Sequence, residues 1–249
     1  MSKGFSCLLC QAKDADSLGE RDGYKIVECE ACQLRQVANL PDDAALDRYY
    51  ANWHMNDKYA RQARKKVWRW LGKLIRARLR LGTGRFLDVG CNAGFACEAA
   101  RHLGFAATGI EVSSDTISAA RRIFPNCSFA QQSVQDHAKS GALYDLVLCS
   151  EVIEHLNEVH GFLDALGQLV RPGGLLILTT PDGDAYPEAA GFVAWKDANP
   201  PQHLVWFRRK HLLEQMGQRG FTLAWQQKTR KPSLRLVFRK SGQTKAANQ

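Results

Sequence analysis

Apolar positions along the chain fall into two periods, and the alternation between them lays out most of a fold. From residue 85 onward, short apolar runs alternate with stretches of helical, 3.6-residue period. "RFLDVG" (85–90) reads as a strand and "GFACEAARHLG" (94–104) as a helix closed by Gly104. "ATGIEVS" (107–113) is a second strand, and "SDTISAARRIF" (114–124) a helix capped by Ser114 or Asp115. "CSFAQQS" (127–133) is a third strand. "YDLVLCS" (144–150) is nearly all apolar, as a central parallel strand buried on both faces must be. A helix beginning at "EVIEHL" (151–156), a helix through "FLDALGQLV" (162–170), the turn "RPGG" and the strand "LLILTTP" (175–181) follow. "FTLAWQQKT" (221–229) and "SLRLVFRK" (233–240) alternate with period two around the turn "RKPS", which predicts an antiparallel hairpin. Strand-helix alternation of this kind predicts an α/β, doubly wound, Rossmann-like sheet of seven strands with an antiparallel terminal hairpin. Residues 182–207 follow neither period. They read as a long loop near the carboxyl end of the fifth strand, where ligands of such sheets bind.

Before residue 85 the pattern changes twice. Residues 41–81 read as a basic helical linker or cap: in "KYARQARKKVWRWLGKLIRARLRLG" the residues Val67, Trp70, Leu71, Leu74 and Ile75 keep the helical period, with Arg61, Arg64, Lys65, Arg69, Lys73, Arg76 and Arg80 around them. Such a helix can pack with one wet basic face, or can lie on nucleic acid, anionic lipid or an acidic substrate. Residues 1–40 form a third unit. Cys7/Cys10 and Cys29/Cys32 are two C-x2-C knuckles, with "YKIVE" between them as a strand. Four thiolates at this spacing fit a tetrahedral zinc site, which would supply folding energy that forty residues can hardly find in their own core. Redox-active or free thiols are the alternative. With all four positions filled by cysteine, a zinc-ribbon site of this kind would be structural. Residues 82–249 then form the main domain, with 182–207 as its substrate-side loop.

Composition sharpens this picture in two places. The formal net charge is +9 over 249 residues. Residues 58–85 contribute eleven Lys and Arg and no acid, which suits a surface that meets anions. No apolar run approaches the roughly 20 residues of a membrane span, and no signal-peptide pattern opens the chain, so the sequence predicts a soluble cytoplasmic protein.

Two clusters carry candidate chemistry. In "LDVGCNAG" a glycine turn follows the first strand and opens a helix, so Gly90 and Gly94 would let backbone approach a ligand. Asp88 precedes the turn, and Glu111 ends the second strand 21 residues after Gly90, where a carboxylate can grip both hydroxyls of a ribose. In "EVIEHL" the residues Glu151, Glu154 and His155 are spaced i, i+3, i+4, which would put them on one helix face. A divalent metal site, a histidine base helped by a glutamate, and a plain helix start with favourable acids are all compatible with that spacing.

From about Arg85 to about Lys240 the chain resembles the class I S-adenosylmethionine-dependent methyltransferases. The resemblance implies that Asp88, Gly90, Asn92 and Gly94 surround the methionine part of the cofactor. It implies that Glu111 holds the ribose, Val112 packs on the adenine, Gln132 and Ser133 reach the adenine edge, and Ser150 faces the cofactor. Asn92 stands where a glycine is usual, and Gln132 where an aspartate is common. "EVIEHL" resembles the E-x-x-E-H stretch of the ubiquinone-biosynthesis O-methyltransferases and of the small-RNA 3'-terminal 2'-O-methyltransferases. That likeness implies Mg²⁺ or Mn²⁺ held by Glu151, Glu154, His155 and His203. "PPQHLVWF" (200–207) is similar to the P-x-x-H-L-x-x-F segment of bacterial polysaccharide and natural-product methyltransferases. The expected activity is therefore O-methylation of a hydroxyl on a small-molecule or glycan acceptor, with RNA methylation through the basic helix and zinc module as the alternative.

Overall fold

The computed structural model describes residues 5–42, 44–46, 63–186, 189–229 and 231–242. Of the expected 41–81 helical segment, residues 43 and 47–62, Arg61 included, lie outside the described residues.

Strands β1 (Ala15–Arg21), β2 (Tyr24–Cys29) and β3 (Arg35–Val37) open the chain, and α1 (Ala63–Leu81) follows. The main sheet is then threaded by β4 (Arg85–Val89), α2 (Phe95–His102), β5 (Ala106–Glu111), α3 (Ser114–Ile123), β6 (Ser128–Gln131), α4 (Val134–Ala138), β7 (Tyr144–Ser150), α5 (His160–Leu169) and β8 (Val170–Pro181). A short β9 (Val205–Trp206), α6 (Arg209–Gln218), β10 (Phe221–Gln226) and β11 (Ser233–Lys240) complete it. The seven-stranded order is β10-β11-β8-β7-β4-β5-β6. β4 through β8 pair in parallel, while β11 runs antiparallel to both β8 and β10. The doubly wound sheet with its antiparallel hairpin is thus present as expected.

Burial explains why the central strands are legible. Leu146, Val147, Leu148 and Cys149 of β7 and Leu175, Leu176 and Leu178 of β8 are fully buried because helices cover both faces. Leu87, Val89, Val147 and Cys149 face the α5 and α6 side. Phe86, Leu146, Leu148 and Ile177 face α1 and α2.

Local details depart from the expected pattern. The cap of α3 is Ser113, whose side chain accepts from Thr116 N, so neither Ser114 nor Asp115 serves. On α1 the inward face is Val67, Leu74 and Ala77; Ile75 is 42 % exposed and Trp68 65 %, so Ile75 does not belong to the packing stripe. "EVIEHL" makes only a single 3₁₀ turn, Ile153–His155. Residues 182–207 are more ordered than an aperiodic loop: they hold 3₁₀ turns at Gly183–Ala185 and Ala189–Ala194 and end in β9.

β9 joins two parts of the chain that the sequence separates. It pairs antiparallel with β3, Arg35 opposite Trp206, and completes a second sheet of order β1-β2-β3-β9. Ile26 and Val37 of this sheet pack with Phe192, Trp195, Leu204 and Trp206 in a core of their own. Glu28 holds the junction. Its Oε2 accepts from Arg35 Nε at 2.7 Å and from Arg208 at 2.6 Å. His211 Nε2 donates to the carbonyl of Cys32 at 2.8 Å, and His160 Nε2 to that of Leu9 at 3.0 Å.

Candidate active site

The turn after β4 carries three left-handed residues: Gly90 (φ 69), Asn92 (φ 47) and Gly94 (φ 78). Asn92 tolerates this region better than most side chains, which accounts for its standing at a position suited to glycine. The glycines serve the protein's own packing. A Cβ on Gly90 would lie 2.5 Å from Val152 Cγ2, and one on Gly94 would lie 2.5 Å from the Phe129 ring. The space expected for a ligand at these two Cα positions is therefore filled by side chains. The exposed side of the turn is its backbone around Asn92, an exposed residue.

Glu111 stitches this turn to the end of β5. Its Oε2 accepts from Asn92 N at 3.2 Å and its Oε1 from Val112 N at 2.9 Å. Asp88 sits beneath, 4 % exposed, with the Cys97 thiol donating to Oδ2 at 3.9 Å. Burial, with the Glu111 charge adding to it, pushes the Asp88 carboxyl up to about 8. Val112 is 66 % exposed, an apolar residue left open to solvent beside this acid. Gln132 donates its backbone N–H to Glu111 O at 3.1 Å, and its amide meets His137 Nδ1. Ser133 caps α4: its Oγ accepts from Asp136 N and donates to Asp136 Oδ2 at 2.7 Å, so its hydroxyl is already engaged. Ser150 at the end of β7 shares a hydrogen bond with Thr179 Oγ1 at 2.8 Å.

The acid-imidazole cluster differs from the expected helix face. Glu151 takes a left-handed conformation, φ 56, which breaks any continuous helix at that point. Its Oε1 accepts from Thr179 Oγ1 at 2.7 Å. Glu154 turns the other way and is fully buried. The structure instead gathers Glu154, His155 and His203, one ligand atom from each lying within 4.8 Å of the others. His203 arrives because Leu204 N donates to Glu154 O at 2.7 Å, which clips the end of the loop onto the 3₁₀ turn. The two imidazole rings stand 5.1 Å apart.

Within this cluster Glu154 Oε2 accepts from Thr180 Oγ1 at 3.0 Å, while Oε1 is buried without a hydrogen-bond partner among the described residues. Burial, reinforced by the Glu151 charge, holds the Glu154 carboxyl well above its ordinary range. His203 Nδ1 faces the carbonyl of Asp197 at 2.6 Å, and His155 Nδ1 faces that of Gln202. Burial lowers both imidazoles, His155 to about 4. A buried carboxylate oxygen lacking a donor, flanked by two neutral rings each oriented by a backbone carbonyl, fits a divalent cation. Rings oriented in this way are usual among metal-bound histidines, and two imidazoles with one carboxylate suit Mn²⁺ or another first-row divalent ion.

A second possible metal group lies in the amino-terminal sheet. Cys7, Cys10, Cys29 and Cys32 bring their sulfurs within 4.8 Å of one another, with Cys7–Cys32 and Cys10–Cys29 each at 3.5 Å. Burial pushes the Cys7 thiol up to about 11, the cost that a bound cation would relieve. Sequence reasoning missed what lies beside the turn. Lys66, Arg69, Trp70 and Lys73 of α1 line a cleft of about 300 Å³ with Asn92 and Phe95. The basic periodicity of α1 was visible, but its docking over the glycine turn is a tertiary fact. Among the described residues no helix is long and apolar enough to cross a membrane.

Comparison with known proteins agrees with this architecture. The family described as "Methyltransferase domain" matches residues 42–226. Ubiquinone biosynthesis O-methyltransferase of Brucella abortus is 34 % identical over 100 residues, covering 39 % of this chain and 40 % of that protein. The Methylocella silvestris protein of the same name is 36 % identical over 100 residues, 39 % of each. The chain thus matches these relatives over about two fifths of their length. Among solved structures, magnesium protoporphyrin IX methyltransferase from Synechocystis, with bound S-adenosylhomocysteine, shares the fold. Its TM-score is 0.57 at 20 % identity, over 80 % of this chain and 95 % of that one. The Burkholderia thailandensis 1,6-didemethyltoxoflavin-N1-methyltransferase does so with a TM-score of 0.58 at 16 % identity, over 91 % of this chain and 100 % of that one. With a family match over most of its length and the sheet order to go with it, the chain belongs to the class I S-adenosylmethionine-dependent methyltransferases.

Proposed function

We propose that this methyltransferase acts on oxygen, methylating a hydroxyl with a neighbouring oxygen on a small molecule or a sugar or glycan intermediate. The observation that carries this reading is the Glu154, His155 and His203 cluster with its unpartnered Glu154 Oε1, next to the residues around the glycine turn. The O-methyltransferase names of the relatives support the choice of oxygen.

The chain's own residues divide the work. The backbone around Asn92, above Asp88, would receive the methionine part of S-adenosylmethionine, which supplies the electrophilic methyl. Glu111 would exchange its bonds to Asn92 N and Val112 N for two ribose hydroxyls, and exposed Val112 would lie against the adenine. Gln132 would meet the adenine edge; Ser133 would bear on it through the start of α4. Ser150 and Thr179 would fix Glu151 at the acceptor side.

Glu154, His155 and His203 would hold a divalent ion such as Mg²⁺ or Mn²⁺, which lowers the pKa of a coordinated hydroxyl. Magnitudes favour this over a lone histidine base. A ring that gains its proton only near pH 4 accepts one from a phenol of pKa about 10 at a cost of about 8 kcal/mol. The same low basicity keeps the ring neutral, as a ligand must be. Cys7, Cys10, Cys29 and Cys32 would hold structural zinc.

The test is methyl transfer onto catechol and related vicinal diols, with and without added Mg²⁺, after a weak chelator that leaves cysteine-bound zinc in place. Transfer restored by Mg²⁺ is expected. Turnover indifferent to the chelator, with the cluster shown free of metal, would refute the metal-assisted mechanism.

A second reading, RNA methylation, draws support from α1, which carries eight Lys and Arg between 63 and 81, no acid, and an exposed Trp68. Affinity for RNA that falls steeply with salt would favour it.

A further inference from the structure

α1 runs past the glycine turn toward Glu151, and its cations fall at two stations. Lys66 and Lys73 are two helical turns apart, about 10.5 Å along the axis. At the first station Lys66 Nζ lies 4.8 Å from the centre of the Phe95 ring, beside Asn92. At the second, Lys73 Nζ lies 3.8 Å over the Trp70 ring.

Gln227 ties the second station to the terminal hairpin through one side-chain and one backbone hydrogen bond. The Lys73 carbonyl accepts from Gln227 Nε2 at 3.1 Å, and Gln227 N donates to Arg235 O at 2.9 Å. Arg235 on β11 stands opposite Thr179 on β8, so their side chains share one face of the sheet. Ser233, two residues away, shares that face as well. Thr179 Oγ1 donates to Glu151 Oε1 at 2.7 Å, and Ser233 Oγ approaches the same oxygen at 3.5 Å. Arg235 therefore points to the side of the sheet where Glu151 lies, and Lys73 approaches from the helix above.

The charges of Arg69, Arg235 and Lys231 bear on Lys73, and so does that of Glu151, which accepts from two hydroxyls. Among the described residues none of Arg69, Lys73 and Arg235 forms an ion pair with a carboxylate. Glu151 offsets only part of this positive charge; the excess is unfavourable, and a bound anion relieves it. In keeping with this, burial and then the Arg235 charge lower the Lys73 ammonium to about 8, with Glu151 opposing them.

We propose that Lys73 and Arg235 form an oxyanion subsite that takes a carboxylate or phosphate carried by the methyl acceptor. The acceptor is then an anionic hydroxy compound, gripped at one end by these cations and presented at the other to Glu154, His155 and His203. This deepens the O-methyltransferase reading and rests on it. The methyl donor also carries a carboxylate, and both stations line the cleft with Asn92; the first lies against Phe95. The second lies two turns further on, toward the acid-imidazole cluster.

The experiment is isothermal titration of phenyl phosphate and of benzoate into the protein saturated with S-adenosylhomocysteine. Saturable binding that weakens with salt is expected. Lys73→Met and Arg235→Met should each raise the Kd of the probes about tenfold, while the Kd for S-adenosylhomocysteine, which also reports correct folding, stays within about twofold. Lys66→Met should do the reverse. Failure of wild-type protein to bind either probe while it binds S-adenosylhomocysteine overturns the subsite alone. Lys73→Met that weakens S-adenosylhomocysteine and spares the probes overturns it too, by assigning the cation to the donor's carboxylate. No S-adenosylhomocysteine binding at all removes the methyl-transfer reading and the subsite together.

Discussion

Gly90 and Val152 occupy one another's space: an ideal Cβ on Gly90 would sit 2.5 Å from Val152 Cγ2. The acid-imidazole turn is thereby packed on the glycine turn through Val152, so the two candidate half-sites, at the ends of the paired strands β4 and β7, are held in contact.

Gly90→Ala should cost about 2–4 kcal/mol, part from the left-handed backbone and part from the clash with Val152. Urea denaturation of the double variant Gly90→Ala/Val152→Ala should recover the steric part and leave the backbone part. Simple additivity of the two single losses would show that the contact carries no energy.

Glu154→Gln keeps the shape of the buried side chain and removes its charge. Turnover should fall about 100-fold or more if Glu154 is a ligand, with metal content at the cluster lost. Folding should survive, since burial already holds the carboxyl toward its neutral form in the absence of a cation. Wild-type turnover in this variant would eliminate Glu154 as a ligand.

Asp88 predicts a pH dependence of stability. The folded chain keeps a proton on this carboxyl up to about pH 8, whereas the unfolded chain releases it near pH 4. The folded state binds more protons in that window. Stability linked to Asp88 is therefore full below about pH 4, declines as the pH rises to about 8, and is level above. The melting temperature of wild type minus that of Asp88→Asn, followed from pH 5 to pH 9, should fall and then flatten; a constant difference means the carboxyl is ionised throughout.

Glu28 is shared by Arg35, whose side chain is 2 % exposed, and Arg208, 17 % exposed. Glu28→Gln removes the carboxylate that these two guanidiniums share and should cost about 3 kcal/mol. A loss below about 1 kcal/mol in chemical denaturation would mean that Arg35 is compensated by the carbonyls of Gly183 and Tyr186 that it also meets.

The four-cysteine group and the loop that carries His203 should respond together. Val37 N donates to Leu204 O at 2.9 Å, and Leu204 N to Glu154 O, so a path of two hydrogen bonds leads from β3 to the cluster. Cys10→Ala should speed amide exchange at Val37 and Leu204 and weaken acceptor binding, while β7 amides and S-adenosylhomocysteine affinity stay unchanged. Exchange confined to residues before Val37 would show that the two regions are independent.

What could be read from the sequence follows the range of the forces involved. β7 and β8 announce themselves because helices cover both of their faces, which demands continuous apolar runs. The terminal hairpin announces itself by strict alternation. Glu111 and the glycine turn are legible from spacing along adjacent parallel strands. The turn at 153–155 is not, because the left-handed backbone of Glu151 has no signature in "EVIEHL"; it splits a set of residues that helical spacing would unite. The proximity of His203 depends on β9 meeting β3, a pairing set by Trp206 and Phe192 filling a distant core. Ile75 fits a helical apolar pattern, yet it stands 42 % exposed while α1 buries Ala77 in the core that α2 shares.

The β3–β9 pairing has a consequence for how the molecule is made. As the polypeptide emerges from the ribosome, strands β1 to β3 wait, with β3 an open edge, until five of the seven strands of the main sheet have been synthesised behind them. A sheet begun before the main one is then completed after most of it, and any nascent chain halted before Val205 displays an unpaired β3 edge that chaperones or neighbouring chains can grasp.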